Sequence, residues 1–184
     1  MQFHFEIVNS IFGKFYILDS RQGLHFILKK RDKRIKSLTK RYNPIKGLFD
    51  KNIVKIFQNH ALGKKNSPKV KIKFLEYSNF QKMVWKELLK ISHGSTISYS
   101  EIANLISYPK AVRAVASAIG KNPISIIVPC HRVIRKNGLI GDYAWGVKMK
   151  KALLDVEVNG MADSIYRGGK WITESAPAWM LTAP

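Results

Sequence analysis

The first thirty residues alternate between apolar and polar positions in three short runs, Phe3 to Val8, Lys14 to Leu18 and Leu24 to Leu28, separated by Gly13 and Gly23. Because successive strand side chains leave opposite faces and glycine eases the turns, the pattern predicts a small antiparallel sheet. Ile53, Val54, Ile56 and Phe57 predict a helix over 49–62, Val70 to Phe74 alternates like an edge strand, and Gly63 to Pro68 reads as a break between them. From Asn79 the period becomes helical, with Phe80, Val84, Leu88 and Ile91 on one face and Lys82, Lys86 and Lys90 on the other. Ser98-x-x-Glu101 has capping-box spacing, Ile102, Leu105 and Ile106 continue that helix's apolar stripe, and Ser107-Tyr108-Pro109 ends it. A second, alanine-rich helix starts at Lys110 and closes at Gly120. The apolar run Ile126 to Val128 reads as a buried strand stopped by Pro129, and Asn137-Gly138 is a type I′ hairpin dipeptide that would form a wing. A last helix over 146–157 is expected to turn Val147, Leu153 and Leu154 inward. The expected fold class is α/β in the α+β sense: a sheet-plus-helix domain over 1–77 and a mainly helical domain over 78–160. A tail over 161–184 has no periodicity and is read as disordered or foreign to the fold.

Charge narrows the function. Lys and Arg number 32 against 12 Asp and Glu, a formal +20. That excess favours a polyanionic partner, nucleic acid before anionic membrane. The tail holds Arg167 and Lys170 against Asp163 and Glu174, so the whole excess belongs to residues 1–160. Its densest run, Lys29 to Arg34 continued by Lys36, Lys40 and Arg41, reads equally as a solvated face or a DNA contact. Two short helices joined by a tight turn in a basic chain read as helix-turn-helix. No apolar run approaches 18 residues and no leader is visible at Met1 to Glu6, so neither a membrane span nor secretion is expected. A single cysteine cannot form an internal disulfide, which fits a reducing cytoplasm. His4, His25, His60 and His93 lack ligand spacing, so neither structural zinc nor another cofactor is expected.

The candidate chemistry lies at Cys130. Pro129 fixes its own φ and biases Val128 toward extended geometry, so Cys130 is offered on a stiff turn with His131 and Arg132 beside it. Positive charge or a base nearby activates a thiol. Adjacent side chains diverge, so a bridging water is expected between His131 and Cys130. The alternative is a buried, inert cysteine beside a structural histidine.

Pro129-Cys130-His131-Arg132-Val133 resembles the active-site signature of the O6-alkylguanine-DNA alkyltransferases. Ser98-Tyr99-Ser100-Glu101-Ile102-Ala103, Arg113-Ala114-Val115, Gly120-Lys121-Asn122-Pro123, Gly141-Asp142-Tyr143 and Lys151 to Glu157 extend the resemblance over about residues 78–158. It implies a ribonuclease H-like N-terminal domain and a winged helix-turn-helix C-terminal domain. It also implies direct DNA repair, with an alkyl group moving irreversibly, once per molecule, from O6 of guanine (or O4 of thymine) in double-stranded DNA to Cys130. In the implied site Glu157 orients His131, Tyr99 protonates the leaving base and crowds a phosphate, and Asn122 braces the cysteine segment. Arg113 fills the gap left by a flipped nucleotide, with Ala111, Ala114, Ser117 and Arg132 also at the DNA. Val133, Tyr143, Ala144 and Trp145 line the base pocket. Trp145 stands where the family often has small residues, so a narrower pocket mouth is expected. The protein is expected to act as a cytoplasmic monomer without cofactor or membrane. A pure helix-turn-helix regulator or damage sensor would leave Cys130 unused, and a cysteine hydrolase would leave the +20 charge and Arg113 unused.

Overall fold

Three strands, β1 (Phe3–Ser10), β2 (Gly13–Ser20) and β3 (Gly23–Lys29), form an antiparallel meander. A short β4 (Ile45–Lys46) adds to β1 in parallel, giving the order β3-β2-β1-β4. This is a computed structural model, and it describes residues 1–65, 68–159, 164–167 and 170–173. The chain divides into two compact units. The first comprises Met1–Ala61, Asn66–Tyr77 and Pro123–Ile127; the second comprises Leu62–Lys65, Ser78–Asn122 and Val128–Pro184. Pro123–Ile127 joins the first because Ile27 N–H donates to Pro123 O at 2.8 Å and Ile27 bridges Ile124 in parallel.

In the first unit both faces of the sheet are covered. Phe3, Tyr16, Leu18, Phe26 and Leu28 pack under Ile35, Leu38 and Tyr42 of α1 (Arg34–Tyr42). On the opposite face Phe15 meets Phe57 of α2 (Asn52–Ala61) at 5.0 Å between ring centroids. β2 is therefore buried without interruption from Phe15 to Ser20, as expected of a strand covered on two sides. Each large apolar side chain in that run contributes about 1.5–3 kcal/mol on burial. The expected edge strand over Val70 to Phe74 is reduced to one parallel bridge, Leu24 to Ile72.

In the second unit α3 (Asn79–Leu88) starts in a capping box of Ser78 and Gln81. Its Trp85 is buried and donates Nε1–H to Ala118 O of α5 (Val112–Gly120) at 2.8 Å. The short β5 (Ile97–Ser98) leads straight into α4 (Tyr99–Leu105), where the Ser98/Glu101 capping box forms as its spacing predicts. β5 runs parallel to β6 (Val133–Ile134), setting the start of α4 beside the strand that follows Cys130. α4, a turn through Ser107 (φ 64°) and α5 form the helix pair.

Several local expectations change. Leu105 is 58% exposed and Ala103 takes its place in the core, while on α6 (Val147–Asn159) Leu153 and Leu154 are buried as expected but Val147 is 37% exposed and Met149 and Lys150 are buried as well. Ile126 has φ 76°, so the run before Pro129 turns rather than continuing as a strand. At the expected type I′ turn, Gly138 N–H donates to Arg135 O at 3.0 Å and Arg135 N–H to Leu139 O at 2.8 Å, with positive φ at Gly138 but not at Asn137. This is the bulged, three-residue kind of hairpin loop. Gly63, expected in a break, has φ 65°, and a Cβ there would collide with the carbonyl oxygen of Val156. In the tail, β7 (Ser164–Arg167) and β8 (Lys170–Thr173) pair antiparallel; the remainder lies outside the described residues.

Candidate active site

Cys130 is presented by two tight turns in succession. Pro129 has φ −82° and ψ 62°, the geometry of an inverse γ-turn, and Cys130 N–H closes it on Val128 O at 2.8 Å. Cys130–Arg132 then forms one turn of 3-10 helix. The thiol is 4% exposed. Asn122, also buried, donates from Nδ2 to Val128 O at 2.8 Å and to Cys130 Sγ at 3.1 Å, bracing the segment as expected.

The 3-10 turn sends His131 and Arg132 to one carboxylate. His131 Nε2 lies 2.8 Å from Glu157 Oε1, and Arg132 holds Glu157 through Nε and Nη2 at 2.8–3.1 Å. Gly94 N–H also donates to Glu157 Oε2, at 3.2 Å. Burial opposes ionisation of Glu157, but the hydrogen bonds from His131 and Arg132 and the charge of Arg132 outweigh it and hold the carboxyl well below its ordinary range. Burial lowers the His131 pKa despite Glu157, so the ring is neutral at pH 7. With an ionised acceptor at Nε2, the proton of the neutral ring resides there. Nδ1 is then a buried lone pair, and it has no hydrogen-bond partner among the described residues.

Arg132 therefore departs from its expected place at the DNA. Its remaining donor, Nη1, reaches Ile91 O at 2.7 Å, and the residue is 8% exposed. A guanidinium satisfied this way is a structural partner of Glu157, not a surface phosphate contact.

Three further ionisable groups are coupled to Cys130. Burial pushes the Tyr143 phenol well above its usual value, with Cys130 adding to the effect, and burial raises Tyr99, aided by Asp142 and Cys130. The third is Lys150, which no sequence signal marked. Its fully buried side chain donates to Val133 O at 2.6 Å, Ile140 O at 2.5 Å and Asp142 O at 3.4 Å, and its ammonium lies 5.9 Å from the Tyr99 ring centroid. Burial brings its pKa down to about 8. Lys150 thus ties β6 to the loop carrying Gly141, which has a positive φ of 68°. Trp145 meets Tyr143 edge-on at 5.9 Å, Val133 is buried and Ala144 exposed.

The remaining expected residues lie on α5. Val115, Ala118 and Ile119 face the core, while Arg113, Ala114 and Ser117 are exposed and Ala111 is half-buried at the N-cap. Small side chains around one arginine leave a low, open helix face.

The family model of the 6-O-methylguanine DNA methyltransferase DNA-binding domain matches residues 79–159. A methylated-DNA–protein-cysteine methyltransferase of Methanosarcina mazei is 35% identical over 158 residues, covering 86% of this chain and 99% of that protein. The chain belongs to the methylated-DNA–protein-cysteine methyltransferase family. The namesake from Kluyveromyces lactis is 36% identical over 142 residues, 70% of this chain and 75% of its own length. Among solved structures, Mycobacterium tuberculosis OGT in complex with DNA superposes with a TM-score of 0.74 at 33% identity, covering 84% of this chain and 92% of that one. The family match spans the Asn122, Cys130, His131 and Glu157 cluster and the exposed face of α5 alike. Among the described residues no cluster suits a metal ion and no helix is long and apolar enough to cross a membrane.

Proposed function

We propose that this chain repairs alkylated DNA directly, by moving the alkyl group from O6 of guanine in a duplex onto Cys130 Sγ. The buried His131–Glu157–Arg132 network beside a thiol held by Asn122 carries the reading. Because Glu157 keeps the imidazole proton on Nε2, His131 Nδ1 is the base that takes the Cys130 proton, directly or through water. The Sγ–C bond forms as the C–O6 bond breaks, and the bonding pair leaves with guanine. Tyr99, a protonated phenol at neutral pH, then protonates the leaving base and recovers its proton from solvent. The thioether has no hydrolytic escape, so each molecule acts once.

Reaching a base inside a duplex requires flipping it out, at a cost of a few kcal/mol. Arg113, on the open face formed with Ala111, Ala114 and Ser117, takes the vacated place in the stack. Val133, Tyr143, Ala144 and Trp145 line the pocket that receives the base, with Trp145 narrowing its mouth. We assign the protein to the cytoplasm, a reducing compartment that its single cysteine fits.

The test is the intact mass of the protein after incubation with duplex DNA carrying one O6-methylguanine. One added methyl, mapped to Cys130, is expected for wild type and none for Cys130→Ser, which should keep its DNA affinity. An unchanged wild-type mass, as a hydrolase or a pure binding module would give, sinks the reading.

A further inference from the structure

We propose that the outer face of α1 is a second contact for the phosphate backbone of duplex DNA, on the unit that holds none of the residues assigned above. The inference rests on the reading that the chain acts on DNA. α1 is amphipathic: Ile35, Leu38 and Tyr42 pack on the sheet, and Lys33, Lys36, Ser37, Lys40 and Arg41 stand exposed. Those five positions follow the i, i+3, i+4, i+7, i+8 spacing of a single stripe.

No acidic residue lies between Lys33 and Tyr42 to neutralise the stripe. Arg34 is paired with Asp32, and Arg41 with the exposed Glu76. Lys33, Lys36 and Lys40 form no ion pair among the described residues. Like charges three and four residues apart on one helix repel, so in isolation this arrangement costs stability. A polyanion laid along the stripe reverses the sign of that term.

The surroundings point the same way. The first unit has 16 basic residues against 5 acidic ones, a net +11 of the chain's +20. Lys29, Lys30 and Arg31 lead directly into the helix. From Lys33 to Lys40 the helix rises about 10 Å, over which a duplex presents about six phosphate charges, enough to engage all three lysines. An anionic membrane fits less well, because an interfacial helix needs a free apolar face and that of α1 is spent on the sheet.

The experiment compares the salt dependence of binding to a duplex containing one O6-methylguanine for wild type and for Lys33→Gln/Lys36→Gln/Lys40→Gln. Lys46→Gln/Lys51→Gln/Lys55→Gln, on the same unit, removes the same charge elsewhere. Each phosphate contact contributes about 0.9 to the slope of log affinity against log salt, so the α1 triple should flatten it by about two to three and the control by much less. An unchanged slope, or an equal change in the control, overturns the contact while leaving the repair reading intact. A wild-type affinity insensitive to salt overturns both. Thermal melting of each variant shows that the comparison is between folded proteins.

Discussion

The two nitrogens of His131 have divided tasks, and the division comes from a neighbour. Glu157 holds Nε2, Arg132 holds Glu157, and Ile91 O holds Arg132, so the tautomer that leaves Nδ1 basic is set by a chain of buried contacts. Residues acting as one unit lose their joint effect when any member is removed. His131→Ala and Glu157→Gln should each slow single-turnover alkyl transfer by about 10²–10⁴-fold, the range of acid–base assistance. The double variant should be hardly slower than the worse single one. Additive losses would mean that Glu157 supports the fold and His131 works alone. Arg132 shows why the sequence misleads at this scale: an arginine after a reactive Cys-His reads as a free cation, and only the 3-10 turn of Cys130–Arg132 reveals that it points back into the protein.

At the scale of elements, what could be read from sequence was what local spacing decides. Ser98 and Glu101 form their capping box because both partners lie within four residues. Leu105 and Val147 were misplaced because the inward face of a helix is chosen by its partners, and neither helix announces them. Lys150 was illegible for a related reason: lysine normally marks the surface, and the carbonyls that hold it, Val133, Ile140 and Asp142, converge only in the fold. On α5 the alanine-rich composition was legible as a helix, but which residues face outward came only from the family resemblance, and the inward positions fall to Val115, Ala118 and Ile119. The role of Arg113 can be isolated. Arg113→Ala should impair transfer from alkylguanine in a duplex by one to two orders of magnitude more than transfer from the free alkylated base, as measured by single-turnover rates, because only the duplex must be opened, at a cost of about a few kcal/mol. Equal losses on both substrates would remove Arg113 from the flipping step.

At the scale of the whole molecule the buried charges make stability a function of pH. Lys150 titrates near 8 in the folded chain, against about 10.4 for an ordinary lysine. Between those values the unfolded chain holds a proton that the folded one has released, so this group's contribution to stability rises with pH across that window. Lys150→Met removes the effect and leaves the three carbonyls without their donor, a loss of about 1–3 kcal/mol for an unsatisfied buried group. Its thermal midpoint should therefore lie below that of wild type at pH 7, and the gap should widen toward pH 10. A constant gap would show that Lys150 keeps an ordinary lysine pKa and stays charged in the folded chain across that window. Glu157 acts at the other end: its depressed pKa adds stability above about pH 4.3, which is lost as acid protonates the carboxylate.

Asn122 has one more consequence. Between Asn122 and Val128 the chain leaves for the first unit and returns, a detour of five residues, Pro123–Ile127. The Asn122 side chain donates to Val128 O at 2.8 Å, so the detour is laced shut at its neck, and the same amide group reaches the thiol. The amide that closes the neck is also the one that holds the sulfur, so shortening Asn122 would loosen the loop closure and the seat of Cys130 together.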